Sequence, residues 1–294
     1  MLLLVASLLW SSGGVLIKLA QWSPLGIASA RSAVAAVVIG VYLIWRQRRL
    51  PRLLPRSAAE WGSAIGYAAT VVLFVWATKL TAAANAIVLQ YSSPLYVAVL
   101  GTWLLGERLD AVEWILLAVM LAGVALFFGE RLSADGMIGN LLALGSGIAM
   151  ALMTLSVRML GRSGSALESL MVGNLLAAAI GVGTWHHIPE LDGETIAALV
   201  VLGCGQLGVP YILFARALRT VRAVEAVMLA MIEPIANPLW VMIALGERPS
   251  AWAVAGGALV LGATVVRAVL SYWRSSSGGD SSPVSSDSSG AMSP

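Results

Sequence analysis

A carboxylate lies in the middle of a long apolar stretch of this 294-residue chain, at Glu233, and Pro234 follows it directly. Placing a charged carboxylate at such a depth in a bilayer costs on the order of 3 kcal/mol on insertion scales. Glu233 must therefore face protein or water, where it can exchange a proton or bind an amine. The alternative is a structural role, in which a protonated or paired glutamate ties two helices together.

Further polar side chains lie at similar depth in apolar sequence. Gln90 and Tyr91 lie one turn before Pro94, and Asn237 lies one turn after Glu233. Polar groups inside apolar helices either line a cavity or hydrogen-bond one helix to another. We interpret Gln90, Tyr91 and Asn237 as candidates for a cavity wall, with bonding between helices as the alternative for each of them.

Two tryptophans, Trp10 and Trp240, lie far from the ends of their apolar stretches. Tryptophan is more usual at a membrane interface, where its ring meets both lipid and water. Rings at mid-depth can instead wall a cavity, and Trp10 is a candidate for that role together with Tyr91 and Tyr211. Packing against neighbouring helices or contact with lipid explains such rings at least as often.

Two basic residues, Lys18 and Arg31, lie near the outer ends of the first two apolar stretches. Either side chain can attract an anionic group, and Lys18 is the better candidate for a binding role. The alternative is that both long side chains extend to the lipid headgroups, which is the commoner behaviour of such residues.

Residue types for metal or catalytic chemistry are sparse. The only histidines, His186 and His187, are adjacent and have no third ligand near them, so we expect no metal site. Ser146 has no histidine partner in register, and the single Cys204 excludes an internal disulfide and a cysteine cage. Since a phosphate-binding loop of the Walker type is also missing, we expect neither a cofactor nor ATP hydrolysis.

The composition places these residues in a membrane. The chain is 59% hydrophobic and 11% charged, whereas soluble proteins carry about 25% charged residues. Its long apolar runs do not alternate, which indicates an all-α integral membrane protein. A span needs roughly 20 apolar residues. The sequence predicts ten spans, near residues 2–20, 25–46, 61–79, 82–105, 111–129, 137–158, 166–187, 195–216, 222–245 and 249–271.

The arginines orient these spans. Five lie between residues 46 and 56, after the second span, and most of the others also fall after even-numbered spans. Because positive loops stay inside, we expect a multi-pass protein of a bacterial-type inner membrane with both termini in the cytoplasm. Topology thus explains the net charge of +3, and nucleic acid is not an expected partner. The serine-rich tail, residues 275–294, is predicted to be disordered.

A stretch of 31 residues recurs 140 positions later, residues 79–109 matching 219–249 without a gap. Both copies end in Leu-Gly-Glu-Arg, at 105–108 and at 245–248, which we interpret as hairpin turns. Five spans separate the copies, so the second half is predicted to be inverted relative to the first. The expected fold is ten transmembrane helices as two inverted five-helix repeats, residues 1–130 and 136–271.

Proline falls at the same place in each copy, Pro94 and Pro234. A mid-span proline removes a backbone donor and breaks or kinks its helix. Matched breaks in matched halves point to a binding site, although each proline can also serve only to shape a bend. The two copies differ at the position before each proline, which is Ser93 in the first copy and Glu233 in the second.

In these motifs the chain resembles the EamA-type transporters of the drug/metabolite transporter superfamily, over about residues 2–270. The order and spacing of the motifs carry the resemblance: Trp10-Ser11, Lys18, Pro24, Arg31, Ala83 to Pro94 and Leu105 to Leu109, then Ala217-Leu218, Ala223 to Leu229, Glu233-Pro234 and residues 245–248. The resemblance implies a basket of two inverted repeats around a central path. It also implies secondary transport by alternating access, often export of amino acids or other small metabolites.

The halves depart from one another within this pattern. Met150 stands where Trp10 would match, and Met171 stands where Arg31 would match. Two other functions stay open: a membrane-embedded enzyme acting on a lipid or peptide, and a channel or sensor. The expected partners are a small-molecule substrate and the lipid bilayer, and a homodimer is left open.

Overall fold

The computed structural model describes residues 1–12, 16, 22–81, 83–127, 136–161, 165–187, 193–236 and 251–277. Within these ranges the regular structure is helical and includes no strand. A 3-10 segment, Val182–His187, and a π-helical segment, Leu202–Gly208, interrupt the α-helices. The α-helices are α1 (Leu2–Ser11), α2 (Pro24–Gln47), α3 (Ala58–Leu80), α4 (Ala83–Gln90), α5 (Ser93–Leu104), α6 (Ala111–Phe127), α7 (Met137–Met159), α8 (Ala166–Gly181), α9 (Gly193–Val201), α10 (Val209–Ala217), α11 (Ala223–Ala230) and α12 (Ala251–Ser277).

Six helical stretches are long and apolar enough to cross a bilayer, so the chain is a multi-pass membrane protein. They are Leu25–Gln47, Ala58–Ala77, Ala86–Leu104, Met137–Met159, Ala166–Trp185 and Gly193–Ala217. Three shorter apolar helices, Leu2–Ser11, Ala111–Leu126 and Val254–Arg267, coincide with the first, fifth and tenth predicted spans. The ninth predicted span, 222–245, is described only up to Ala236. The number ten therefore stays a prediction.

Short polar residues start the long helices. The Ser23 hydroxyl accepts a hydrogen bond from the Gly26 N–H at 3.1 Å, and Pro24 occupies the first turn of α2. The Ser57 hydroxyl accepts from the Glu60 N–H at 3.2 Å at the start of α3. These caps satisfy amide groups that have no partner within the helix. They mark where the chain passes from interfacial loop to span.

Small residues let the central helices approach closely. A Cβ atom added at Gly66 of α3 would lie 2.9 Å from the Met153 nitrogen and 3.0 Å from the Ala149 oxygen of α7. Similarly, a Cβ at Gly173 of α8 would lie 2.8 Å from the Ala64 oxygen of α3. In a bilayer, where lipid is as apolar as leucine, such close packing is a principal source of helix association. Helix α3 is therefore held between α7 and α8.

Two buried apolar clusters lie on either side of α7. One is built mainly from α1, α2, α3, α8 and α10 and includes Trp10 and Tyr67. The other is built from α5, α6, α11 and α12 and includes Tyr91. Helix α7 contributes Met153 to the first cluster and Leu155 to the second. The candidate residues of the sequence thus lie on both sides of one central helix.

One end of the bundle, here called the arginine end, holds the arginine-rich loops and their glutamate partners. Its ion pairs are Arg49 and Arg52 with Glu168, Arg52 with Glu60, Arg158 with Glu107, and Arg222 and Arg267 with both Glu113 and Glu225. The pKa of Arg52 is raised above its ordinary value, mainly because its side chain hydrogen-bonds Glu168. Glu107, from the first Leu-Gly-Glu-Arg turn, also accepts the Ala223 N–H at 2.8 Å and so joins the starts of α6 and α11.

We expect Gly66→Ala to lower the free energy of unfolding by about 1–3 kcal/mol, because the new methyl group overlaps the backbone of α7. Thermal unfolding of the purified protein in detergent measures this loss. Gly262→Ala is the matched control, since a Cβ there meets no atom within 4 Å. Equal unfolding temperatures for the two variants would contradict the close α3–α7 contact.

Candidate functional site

The first helix break separates α4 from α5. Helix α4 ends at Gln90, Tyr91 and Ser92 form a turn, and α5 begins at Ser93 with Pro94 as its second residue. Proline has no N–H, so the Gln90 carbonyl receives no helical hydrogen bond from Pro94. Helix α7 approaches this carbonyl closely, because a Cβ at Gly147 would lie 2.9 Å from the Gln90 oxygen. The break therefore exposes backbone polar atoms inside the bundle.

The second break has the same form. Helix α11 ends at Ala230, Met231 and Ile232 form a turn, and a helical turn resumes over residues 233–236. Pro234 is again the second residue after the turn, and it is buried. The preceding position holds Glu233 here and Ser93 in the first break, so the two sites share their backbone geometry and differ in charge.

The two breaks meet through their side chains. The Tyr91 hydroxyl lies near the Glu233 carboxylate, which is partly buried, and the two groups interact electrostatically. Tyr91 itself is 7% exposed. One contact thus connects the middle of the first half with the middle of the second half.

A buried arginine faces the same region from α2. Arg31 is 9% exposed and donates from Nη1 to the Gln206 side-chain oxygen at 3.2 Å. The Gln206 side-chain nitrogen donates in turn to the Trp10 carbonyl at 3.4 Å. Gln206 lies in the π-helical segment, a type of distortion that is frequent at functional sites. The wider π turn places a polar side chain beside the guanidinium.

Aromatic rings pack along one side of the region around Arg31 and Gln206. The Tyr211 ring lies 5.2 Å from the Trp10 ring and 4.9 Å from the Tyr67 ring, both edge-on. The Tyr67 hydroxyl donates to the Asn174 side-chain oxygen at 2.8 Å, which fixes the Tyr67 ring between α3 and α8. Edge-on aromatic pairs hold one another's orientation. The result is a rigid wall beside Arg31 made of flat, partly polar side chains.

Two buried donors at this site have no partner among the described residues, the Arg31 Nε–H and the Trp10 indole N–H. The Arg31 charge interacts electrostatically with Glu233, and no ion pair joins the two groups within the described part of the chain. Unpaired donors buried in an apolar environment are costly. An oxygen acceptor, above all a carboxylate, would satisfy such a donor, and Glu233 offers the complementary charge for an amine.

The structure brings four of the sequence candidates together: Trp10, Tyr91, Tyr211 and Glu233. Gln90 lies elsewhere, because its side chain donates to Ser146 at 2.7 Å and so bonds α4 to α7. Pro94 and Pro234 follow the two breaks. Lys18, Asn237 and Trp240 lie outside the described residues.

One expectation from the sequence was wrong. Arg31 does not extend to the headgroups from the end of its span, since its side chain is buried and bonded to Gln206. It lies seven residues after Pro24, which is about 10 Å along the helix axis. Gln206, Tyr67 and Asn174 were missed altogether. The glycine-flanked glutamine in a span was a signal for Gln206, whereas Tyr67 and Asn174 left none beyond their polarity.

Known proteins share this architecture. The model of the EamA-like transporter family matches the chain twice, over residues 1–129 and 137–268. The chain belongs to the EamA-like transporter family. This EamA-type protein is thus a member of the drug/metabolite transporter superfamily and a membrane transporter rather than an enzyme.

Relatives of this EamA-type transporter occur in archaea and bacteria. An uncharacterized transporter of Archaeoglobus fulgidus is 27% identical over 209 residues, 70% of this chain and 72% of the relative. A second one from that organism is 24% identical over 89% of this chain and 94% of its own length. An uncharacterized protein of Pseudomonas aeruginosa is 29% identical over 69% of this chain and 75% of its own length.

A solved crystal structure of a protein superimposes on this transporter with a TM-score of 0.80. The match covers 92% of this chain and 96% of that chain, at 21% sequence identity. At that identity the likeness shows the fold alone. The site of Arg31 and Glu233 therefore has to be argued from the residues of this chain.

We expect Gln206→Leu to destabilise the transporter by about 1–3 kcal/mol, because it leaves the Arg31 guanidinium buried with one acceptor fewer. Gln206→Glu is the control, since it keeps an oxygen facing Arg31. Thermal unfolding in detergent compares the two variants. If Gln206→Leu unfolds at the wild-type temperature, the Arg31–Gln206 bond does not hold this site together.

Proposed function

We propose that this EamA-type transporter exports a small zwitterionic metabolite, such as an amino acid, across a bacterial-type inner membrane. The observation that carries the proposal is the pair of opposite charges at the centre, Arg31 and Glu233, which interact electrostatically without forming an ion pair. A zwitterion matches this arrangement, because its carboxylate and ammonium groups are held a few ångströms apart.

The substrate carboxylate binds at Arg31 in this proposal. Its oxygens accept from the Arg31 Nε–H and the Trp10 indole N–H, two of the buried donors without partners in the described chain. Hydrogen bonds to charged groups are stronger than neutral ones, so these two contacts supply much of the binding energy. The rings of Tyr67 and Tyr211 bound the space next to the substrate side chain.

The substrate ammonium, or a proton, binds at Glu233. Either cation competes with the Tyr91 hydroxyl for the same carboxylate, so binding loosens the contact between the two helix breaks. A ligand shifts a conformational equilibrium only through different contacts in the two states. The Tyr91–Glu233 contact supplies such a difference in this proposal, and it couples substrate or proton binding to movement at the helix breaks.

Alternating access requires halves of opposite orientation, and the directions of matched helices support that arrangement. Helix α2 reaches the arginine end with Arg46 near its last turn, whereas its match α8 begins there with Glu168. Helix α6 begins at the arginine end with Glu113, whereas its match α12 arrives there with Arg267. Inverted repeats of this kind enclose a site that opens to either side of the membrane in turn.

Overexpression of the wild-type transporter is expected to raise zwitterionic metabolites in the medium, measured by untargeted mass spectrometry. Arg31→Gln and Glu233→Gln should each lower that excess about tenfold or more, because each removes a charge-assisted contact of about 1.5–3 kcal/mol. Glu194→Gln is the control, since this exposed glutamate begins α9 and touches neither group.

The same variants test the coupling role. In proteoliposomes loaded with the metabolite found above, Glu233→Gln should make flux nearly independent of pH while the protein remains folded. Wild-type flux at every pH would remove Glu233 from coupling. An extracellular excess made up only of compounds without an amino group would overturn the zwitterion proposal itself.

Both termini are proposed to be cytoplasmic, because the arginine-rich loops favour that side. A fluorescent protein fused after Pro294 should fluoresce, since this reporter folds in the cytoplasm. Alkaline phosphatase fused within the acidic sequence 189–194 should be active, because positive-inside counting predicts that this sequence faces the periplasm. The reverse pattern of activities would invert the topology.

A further inference from the structure

A cavity of about 90 Å³ lies at the arginine end, away from the central site. Four of its side chains come from the last six residues of α2. The others come from the start of α8 and from the region where α10 ends. The residues that the argument uses are Tyr42, Arg46, Gln47, Leu167, Arg216 and Arg219.

The three arginines of this cavity have no carboxylate partner in the described part of the chain. Other arginines of the same end do have one, because Arg49 and Arg52 engage Glu168, the carboxylate next to Leu167. That glutamate is thereby neutralised and does not offset the charge of the cavity. Three guanidinium groups around one small space make it a site for an anion with several oxygens.

The Gln47 side chain sets a second requirement for a ligand of this cavity. Its side-chain oxygen is buried in the same region and has no hydrogen-bond donor within the described residues. An amide oxygen can only accept hydrogen bonds, and a fully deprotonated oxyanion has no hydrogen to donate to it. A ligand that completes this site therefore carries an O–H or N–H group close to its negative charge.

The lipid-facing side of α2 places the cavity at the level of the membrane surface. Val41 is 61% exposed, Ile44 43% and Trp45 64%. These residues lie on the opposite side of the helix from the centre of the cavity, and the two sides meet where the Trp45 and Tyr42 rings lie 6.2 Å apart. In a membrane transporter, large apolar side chains without protein contacts face lipid. Tryptophan at the end of a span lies at the level of the headgroups. Acyl chains and a phosphate group are thus available together at this depth.

We propose that this cavity binds the headgroup of an anionic phospholipid whose headgroup bears a hydroxyl, of the phosphatidylglycerol type. The phosphate oxygens accept from Arg46, Arg216 and Arg219, and the headgroup hydroxyl donates to the Gln47 side-chain oxygen. The acyl chains leave the cavity at its Tyr42 edge and pass Trp45 into the bilayer. Inorganic phosphate shares the oxyanion chemistry of this ligand but lacks the chains. The bound lipid joins the end of α2 to the turn after α10, and this role does not depend on the transported substrate.

The test is native mass spectrometry of the purified full chain, titrated with phosphatidylglycerol, phosphatidylmethanol or phosphatidylcholine. Phosphatidylmethanol carries the same charge as phosphatidylglycerol but no headgroup hydroxyl. We expect one phosphatidylglycerol to be retained most tightly. The double variant Arg216→Gln/Arg219→Gln should weaken its binding on the order of 30-fold, as expected for two arginines at an anionic surface.

The control double variant is Arg56→Gln/Arg108→Gln, which removes the same charge from exposed positions of the arginine end that do not line the cavity. It should leave the tightest lipid bound. Gln47→Leu should abolish the preference for phosphatidylglycerol over phosphatidylmethanol and leave the preference over phosphatidylcholine unchanged.

Three results would overturn the proposal. The first is equal weakening by the two double variants, which would indicate a diffuse surface charge. The second is retention of phosphatidylcholine as tightly as phosphatidylglycerol. The third is displacement of phosphatidylglycerol by inorganic phosphate at similar concentration, at constant ionic strength, which would make the ligand a soluble anion.

Discussion

Polar groups inside the hydrocarbon layer find no water, so each must find its partner within the protein. The helices of this transporter obey that constraint along most of their length, and the centre of the bundle departs from it. There two proline breaks release backbone carbonyls, and Arg31 and Trp10 keep donors that no described residue accepts. Unmet donors that lie close to two helix breaks make this centre a site for a polar ligand.

The same constraint explains how the central helices are held. Close packing at Gly66, Gly147 and Gly173 replaces the hydrophobic drive that assembles soluble proteins. Hydrogen bonds such as that of Tyr67 with Asn174 then fix side chains between helices. The rigid parts, α3, α7 and α8, join the two halves closely and surround the two breaks, where Tyr91 and Glu233 interact. The breaks are therefore a more suitable place for movement than the packed helices.

The charged residues are divided between the arginine end and the centre of the bundle. At the arginine end, water is close, and glutamates such as Glu107 and Glu168 pair with arginines and cap or join helices. The glutamates of these pairs are largely buried and their arginines reach toward water, so the pairs connect helix ends. The centre carries only a few charges, but each of them is costly to bury. The function proposed here therefore depends on the few charges at the centre, whereas the larger number at the arginine end serves structure and contact with lipid.

The membrane character, the positions of most spans and the family could all be predicted from residue types in order, because apolar length and motif spacing are properties of the linear chain. The two prolines likewise predicted where helices break. Which side chains meet could not be predicted, since spans that are apolar all round carry no periodicity to tell an inner face from a lipid face. Arg31 illustrates the difference: its place near the end of a span suggested a side chain at the headgroups, whereas its burial and its bond to Gln206 arise only when two helices distant in sequence pack together.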